Sequence, residues 1–213
     1  MSSPADQKTS TSAGEQAILD AAEALFAEKS FEAVSMSAIA RLANTSKPNI
    51  YHHFKNKNEL YLAIMKSAVK RSSLLLDALE DAPGTFSERL AGFSAGQLDN
   101  IQSHPRSMQL ILREALSGAS ESGREIAHYA VGEVFNRLVE MVRHGQQVNE
   151  FRADVDPRLA AFMIVSANMF YFQSEPIMKH IPEVHFSDDS SVFSHAVMDV
   201  FFNGILLHGA ETK

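Results

Sequence analysis

Ala33–Asn58 reads AVSMSAIARLANTSKPNIYHHFKNKN and contains no Asp or Glu, although the whole chain carries a net charge of −7. It holds Arg41, Lys47, Lys55 and Lys57, with His52 and His53. Ser35 can cap a helix, because its hydroxyl can accept a free backbone N–H of the first turn. Met36, Ile39, Ala40 and Ala43 then recur at helical spacing and form one apolar face. Asn44 tolerates a left-handed backbone, so the helix can stop there. Ser46 is a second cap, and Pro48 falls in the first turn, where its missing N–H costs nothing. Ile50 and Phe54 stand four apart and can dock this second helix on the first. Lys47, Asn49, Tyr51, His52 and His53 are left for the outside. These spacings predict a helix of about two turns, a turn of roughly 3–4 residues and a shorter helix, as a helix-turn-helix requires.

The run S-K-P-N-I-Y-H-H-F-K-N-K-x-E-L, following S-M-S-A-I-A-R-L-A, resembles the DNA-binding domain of the tetracycline-repressor (TetR) family. Tyr51, His53, Phe54, Lys57 and Leu60 carry the core of the resemblance, which covers about Gln16 to Met65. One departure is Asn44, where the family usually has glycine in the turn. The resemblance implies an all-α protein with an N-terminal three-helix DNA-binding domain and a C-terminal helical ligand-binding and dimerisation domain. The expected division is an arm over 1–14, the reading unit over 15–60 and the helical domain over 61–213. Double-stranded DNA is the expected partner. Lys47, Pro48 and Asn49 lead the second helix into the major groove. An Asn amide can pair with adenine N6/N7, and a Lys can donate to guanine O6/N7. Ser37, near the start of the preceding helix, is grouped with these base-contacting residues. Ser35, Tyr51, His52, His53, Lys55 and Lys57 are expected at phosphates, Lys57 with the help of a helix N-terminus.

The overall acidity argues against nucleic acid until the charge is located. Residues 1–66 hold seven basic and seven acidic side chains, so the rest of the chain carries the whole −7. Phosphate binding depends on where positive charge sits, and here it is local. No apolar run approaches the ~20 residues of a membrane span, and no basic-then-apolar leader opens the sequence. A cytoplasmic protein is expected. The absence of cysteine excludes disulfides and thiolate metal sites.

Outward from the core stretch, residues 1–14 are Ser/Thr-rich and read as a disordered arm. Glu15–Lys29 forms a helix with Ile18, Leu19, Ala22, Leu25 and Phe26 inside and an acidic outer face. A long helix runs from Lys57 to about Leu79 and is the continuous link to everything after it. Ala82-Pro83-Gly84-Thr85 breaks the chain. Further helices follow over Phe86 to about Gln102, Arg106–Leu116, Arg124 to about Val148, Pro157 to about Phe172 or slightly beyond, and from Ser187–Ser191 to near Gly209. Ser117–Gly123 reads as a loop, and the segment between Pro176 and Pro182 is left unassigned. Leu159–Phe172 and Ala196–Leu207 are apolar on more than one face. A helix apolar all round is buried all round. In the TetR family the last two helices commonly build a four-helix dimer interface, so the resemblance implies a homodimer.

No G-x-S-x-G, phosphate loop or G-x-G-x-x-G occurs, and no two histidines stand as a metal-ligand pair. No catalytic residue, metal site or cofactor is expected. The family usually binds a small effector between the later helices, and Met and Phe at helical spacing suit an adaptable cavity. The candidate lining is Phe93, Met108, Ile111, Leu112, Ala115, Phe135, Met141 and Asn168. Asn136, Asn168 and Gln173 are amides within apolar stretches. They either orient an effector or bond across a dimer. The expected function is a DNA-binding transcriptional regulator, a repressor that binds an inverted-repeat operator and is released by a small hydrophobic or amphipathic effector. An architectural or protein-regulated DNA binder with a solid core and no small ligand is the alternative.

Overall fold

The computed structural model describes residues 12–116, 132–187 and 189–203. Among them there are nine α-helices, one 3-10 turn (His185–Ser187) and no strand. The helices are α1 (Ala13–Glu28), α2 (Met36–Leu42), α3 (Lys47–His53), α4 (Lys57–Glu80), α5 (Phe86–Ser103), α6 (Pro105–Leu116), α7 (Gly132–Gln147), α8 (Pro157–Met178) and α9 (Ser190–Asn203). The all-α expectation holds. The arm ends sooner than expected, because Ser12 Oγ accepts from Glu15 N and caps α1 two residues early. Residues 1–11, the Ser117–Gly123 loop, residues 124–131 of the expected helix and the last helix beyond Asn203 lie outside the described residues.

Capping chemistry sets the boundaries of the first four helices. Ser35 Oγ accepts from Ala38 N at 3.2 Å, and Ser46 Oγ accepts from Asn49 N at 3.3 Å. Between them Asn44 sits at φ 49°, in the left-handed region. Thr45 N then reaches Ala40 O at 2.9 Å and Asn44 N reaches Arg41 O at 3.3 Å. These are the paired bonds of a Schellman motif, with Asn in the place usually held by Gly. Asn56 caps α4, accepting from Glu59 N at 2.8 Å.

Two apolar cores result. The first gathers Ile18, Phe26, Ile39, Ile50, Phe54 and Leu60 with their neighbours, and it extends to Met65 and to Leu110 of α6. Phe26, Phe31 and Tyr61 pack ring to ring within it. The second core gathers Leu76, Leu90, Phe93, Leu138, Ala161 and Met198 with their neighbours. Helix α4, with 24 residues and a length of about 36 Å, belongs to both cores. The expected boundary at 60/61 therefore falls inside a continuous helix. Gly92 and Gly96 let α5 lie close on α4: a Cβ at Gly96 would sit 2.8 Å from the Leu75 side chain.

Helix α8 runs six residues past Phe172, with Pro176 inside its last turn. Proline removes one N–H donor there. The turn persists because Ser174 Oγ donates back to Phe170 O at 2.7 Å and Lys179 N closes on Glu175 O at 3.1 Å. No described helix is long and apolar enough to cross a membrane.

Candidate nucleic-acid interface and effector cavity

The reading unit presents one polar, base-rich edge. Ser37, Lys47, Pro48 and Asn49 are all exposed, at the starts of α2 and α3. Asn49 Nδ2 donates to Thr45 Oγ1 at 2.9 Å, which restrains the amide. Ser35, Tyr51, His52 and Lys55 are exposed and His53 is half-buried against His52. The Ser35 hydroxyl oxygen is already an acceptor in its cap, so its own proton remains for a phosphate. The Lys55 backbone N–H donates to Glu59 Oε2 at 2.6 Å.

Lys57 departs from expectation. Its Nζ donates to Phe31 O at 2.7 Å and Val34 O at 2.9 Å, and stands 4.3 Å from the Phe31 ring centre. The ammonium points inward, against the loop joining α1 and α2. Two carbonyls with no helical partner outcompete the surface for this charge, so Lys57 fastens the three-helix unit to α4 rather than reaching outward.

The second site lies against the middle of α4, at residues 68–72. A cavity of about 130 Å³ opens between α4, α5, α6, α7 and α8. Its apolar wall includes Val69, Ile101, Met108, Ile111, Phe135 and Val165. One water needs roughly 10–15 Å³ by this measure, so the space exceeds a packing defect about tenfold. Of the expected lining, Met108, Ile111 and Phe135 are in place. Phe93 and Met141 are instead buried in the second core, packed among apolar neighbours rather than against a void. Leu112 and Ala115 lie on other faces of α6, with Ala115 exposed.

Asn168 is fully buried, but it does not face the cavity. Its Nδ2 donates to Ser94 O at 2.9 Å and Gln97 Oε1 at 3.0 Å, tying α8 to α5. Neither alternative raised for it from sequence describes this bond. Asn136 and Gln173 are exposed. Periodicity did not reveal the polar wall, which consists of Arg71, Gln97, Asn100, His104 and Ser107 with Ser72 beside them. Arg71 was nonetheless detectable: it stands three residues after Ala68 and four before Leu75, on the apolar register of α4.

Several polar ties join the cavity helices to the reading unit. Arg113 of α6 donates to Phe26 O at 2.7 Å and Lys29 O at 3.2 Å, closing the C-terminus of α1. Tyr61 OH donates to Glu114 Oε1 at 3.0 Å, and burial pushes the phenol up to about 12, so it remains a donor. Ser107 Oγ donates to Glu23 Oε1 of α1. Helix α6 therefore forms part of the cavity wall and also packs directly on α1. Among the described residues, no group of three His, Cys, Asp or Glu is placed to hold a metal ion.

Comparison with known proteins agrees with this arrangement. Residues 18–64 match the family described as "Bacterial regulatory proteins, tetR family", and residues 88–199 match "Tetracyclin repressor-like, C-terminal domain". The HTH-type transcriptional regulator RutR of Escherichia coli strain K12 is 25% identical over 201 residues, spanning 90% of this chain and 84% of that protein. The transcriptional regulator FadR from Bacillus subtilis in complex with stearoyl-CoA superposes with a TM-score of 0.73 at 21% identity, covering 90% of this chain and 99% of that one. AibR in complex with isovaleryl coenzyme A and operator DNA superposes with a TM-score of 0.69 at 22% identity, covering 88% and 97%. At these identities the superpositions speak to the fold, while the two family matches cover both the reading unit and the helical body. The chain belongs to the TetR family of DNA-binding transcriptional regulators.

Proposed function

We propose that this regulator represses transcription as a homodimer on an inverted-repeat operator and is released by a small, largely apolar effector, which it binds without chemical turnover. The observation that carries the proposal is the cavity, because it is walled by α4 and α6, the two helices that also enter the core of the reading unit. Lys47, Pro48, Asn49 and Ser37 face the bases. Ser35, Tyr51, His52, His53 and Lys55 hold phosphates, with Lys57 acting from behind as a fastener. A simple two-fold dimer needs its reading heads about one DNA turn, ~34–36 Å, apart. Small tilts of α4 then change affinity at both half-sites together.

Helix α8 supports the dimer with an exposed, largely apolar stripe. Leu159, Phe162, Met163, Phe170 and Ile177 recur at three, four and seven, and Phe170 is 69% exposed. Val192 and Val200 are exposed apolar residues of α9. A second copy bringing the same two helices would close the stripe. Phe201, by contrast, is half-buried in the second core and is not part of this stripe.

The test begins with selection of a duplex from random DNA by the purified protein. Fluorescence anisotropy then follows its release. Isovaleryl-CoA and stearoyl-CoA are the first probes, since structural relatives are described with them. An inverted-repeat site and release by an acyl compound support the proposal. A tight site that no apolar or acyl compound weakens overturns the effector, and a non-symmetric site overturns the dimer.

A further inference from the structure

The polar side of the cavity is built around one cation. Arg71 enters from α4, with Nε donating to Asn100 Oδ1 at 3.0 Å and Nη2 donating to Ser107 Oγ at 3.1 Å. A guanidinium has five N–H donors. Among the described residues these two acceptors are neutral, and no carboxylate pairs with Arg71 directly. Glu23 stands behind Ser107, whose hydroxyl accepts from Arg71 and donates to the Glu23 carboxylate, and its charge favours the guanidinium from there. A charge drawn out of water with incomplete neutralisation is costly. Burial holds Arg71 below its ordinary pKa, although the Glu23 charge opposes that shift. Gln97, His104 and Ser72 complete the polar side, and the remainder of the wall is apolar.

The geometry points to an effector with a compact apolar body and one anionic group, the body lying against Ile101, Met108, Phe135 and Val165 and the anion taking the open N–H donors of Arg71. This rests on the proposed effector function of the same cavity. The chemical class is a small apolar acid. The placement also gives recognition a route to the reading unit. An anion that draws the guanidinium into the cavity pulls it from Ser107, and Ser107 is the residue that holds Glu23 of α1. A neutral analogue of the same shape fills the space without that pull.

The experiment uses the full chain and matched probes: straight-chain acids from butanoate to dodecanoate, each against the primary alcohol of equal length, titrated calorimetrically. Each acid that binds should do so at least ~10-fold more tightly than its alcohol, as expected for charge-assisted hydrogen bonds. Arg71→Gln should erase the preference, and Arg71→Lys should retain part of it. Ser107→Ala should keep acid binding but blunt release from the selected operator. The comparison on the unaltered chain decides the matter even where Arg71→Gln fails to fold. Equal affinity for acids and alcohols overturns the anionic head and leaves the effector cavity standing. A preference that survives in folded Arg71→Gln does the same. If neither series binds, nor isovaleryl-CoA nor stearoyl-CoA, the effector function falls and this inference falls with it.

Discussion

Replacing Lys57 by Met removes the ammonium and keeps most of the stem. Two charge-assisted bonds are lost, at 2.7 and 2.9 Å, with a ring contact at 4.3 Å. Hydrogen bonds to charged groups contribute about 1.5–3 kcal/mol each, and an exposed cation–π contact about 0.5–1 kcal/mol. The side chain is half-buried, so the low end applies and part is offset by relief of desolvation. A net loss of about 2–4 kcal/mol is expected, which lowers Tm on the order of 10 °C for a chain of this size. Urea unfolding followed by circular dichroism measures the loss. Operator binding at a series of salt concentrations measures the other half of the claim. Each phosphate contact adds about 0.9 to the slope of log K against log salt. Lys57→Met should leave that slope unchanged, while Lys55→Ala should lower it by about 0.9. The inward role of Lys57 is refuted by a variant of native stability, within about 0.5 kcal/mol, whose salt slope has fallen by about one.

Other substitutions probe the remaining surfaces. Asn49→Ala should cost about 1–3 kcal/mol on the selected operator and relax preference at one base pair, whereas equal weakening on all sequences would make Asn49 a positioning residue. Phe170→Glu places a charge in the middle of the exposed α8 stripe and should give monomers by light scattering. An unchanged dimer would move the interface elsewhere. Val165→Phe should fill the cavity and abolish effector release while operator affinity stays within about twofold, a difference of about 0.4 kcal/mol. Retained release would place the effector outside this cavity.

The reading unit was legible because its determinants are local. Ser35, Asn44 and Ser46 act within four residues of themselves, so type and spacing were enough to place both helices and the turn. Lys57 was misread because its acceptors, the carbonyls of Phe31 and Val34, lie 26 and 23 residues away. Position at a helix start favours phosphate, and nothing nearby in sequence reveals the competing loop. The cavity was half legible for a related reason. Met108, Ile111 and Phe135 followed from the apolar character of their helices, but periodicity does not say which buried face meets a neighbour and which meets a void. Phe93 and Met141 fell on the wrong side of that distinction. Asn168 was expected in the cavity lining, but its partners on α5 depend on a contact more than seventy residues away. Helix α8 continues through Pro176, which the sequence left unassigned, since the back-bond from Ser174 keeps the last turn together.

The central claim is that the cavity and the reading heads share one equilibrium, and linkage tests it directly. An effector that weakens operator binding must itself be weakened by operator to the same degree. The measurement is the Kd of one effector, once for the free protein and once for the saturated operator complex. Ties from α6 to α1 and the shared helix α4 predict a difference of about 5–150-fold, the usual range of ~1–3 kcal/mol for such coupling. Equal affinity in the two states would contradict the account.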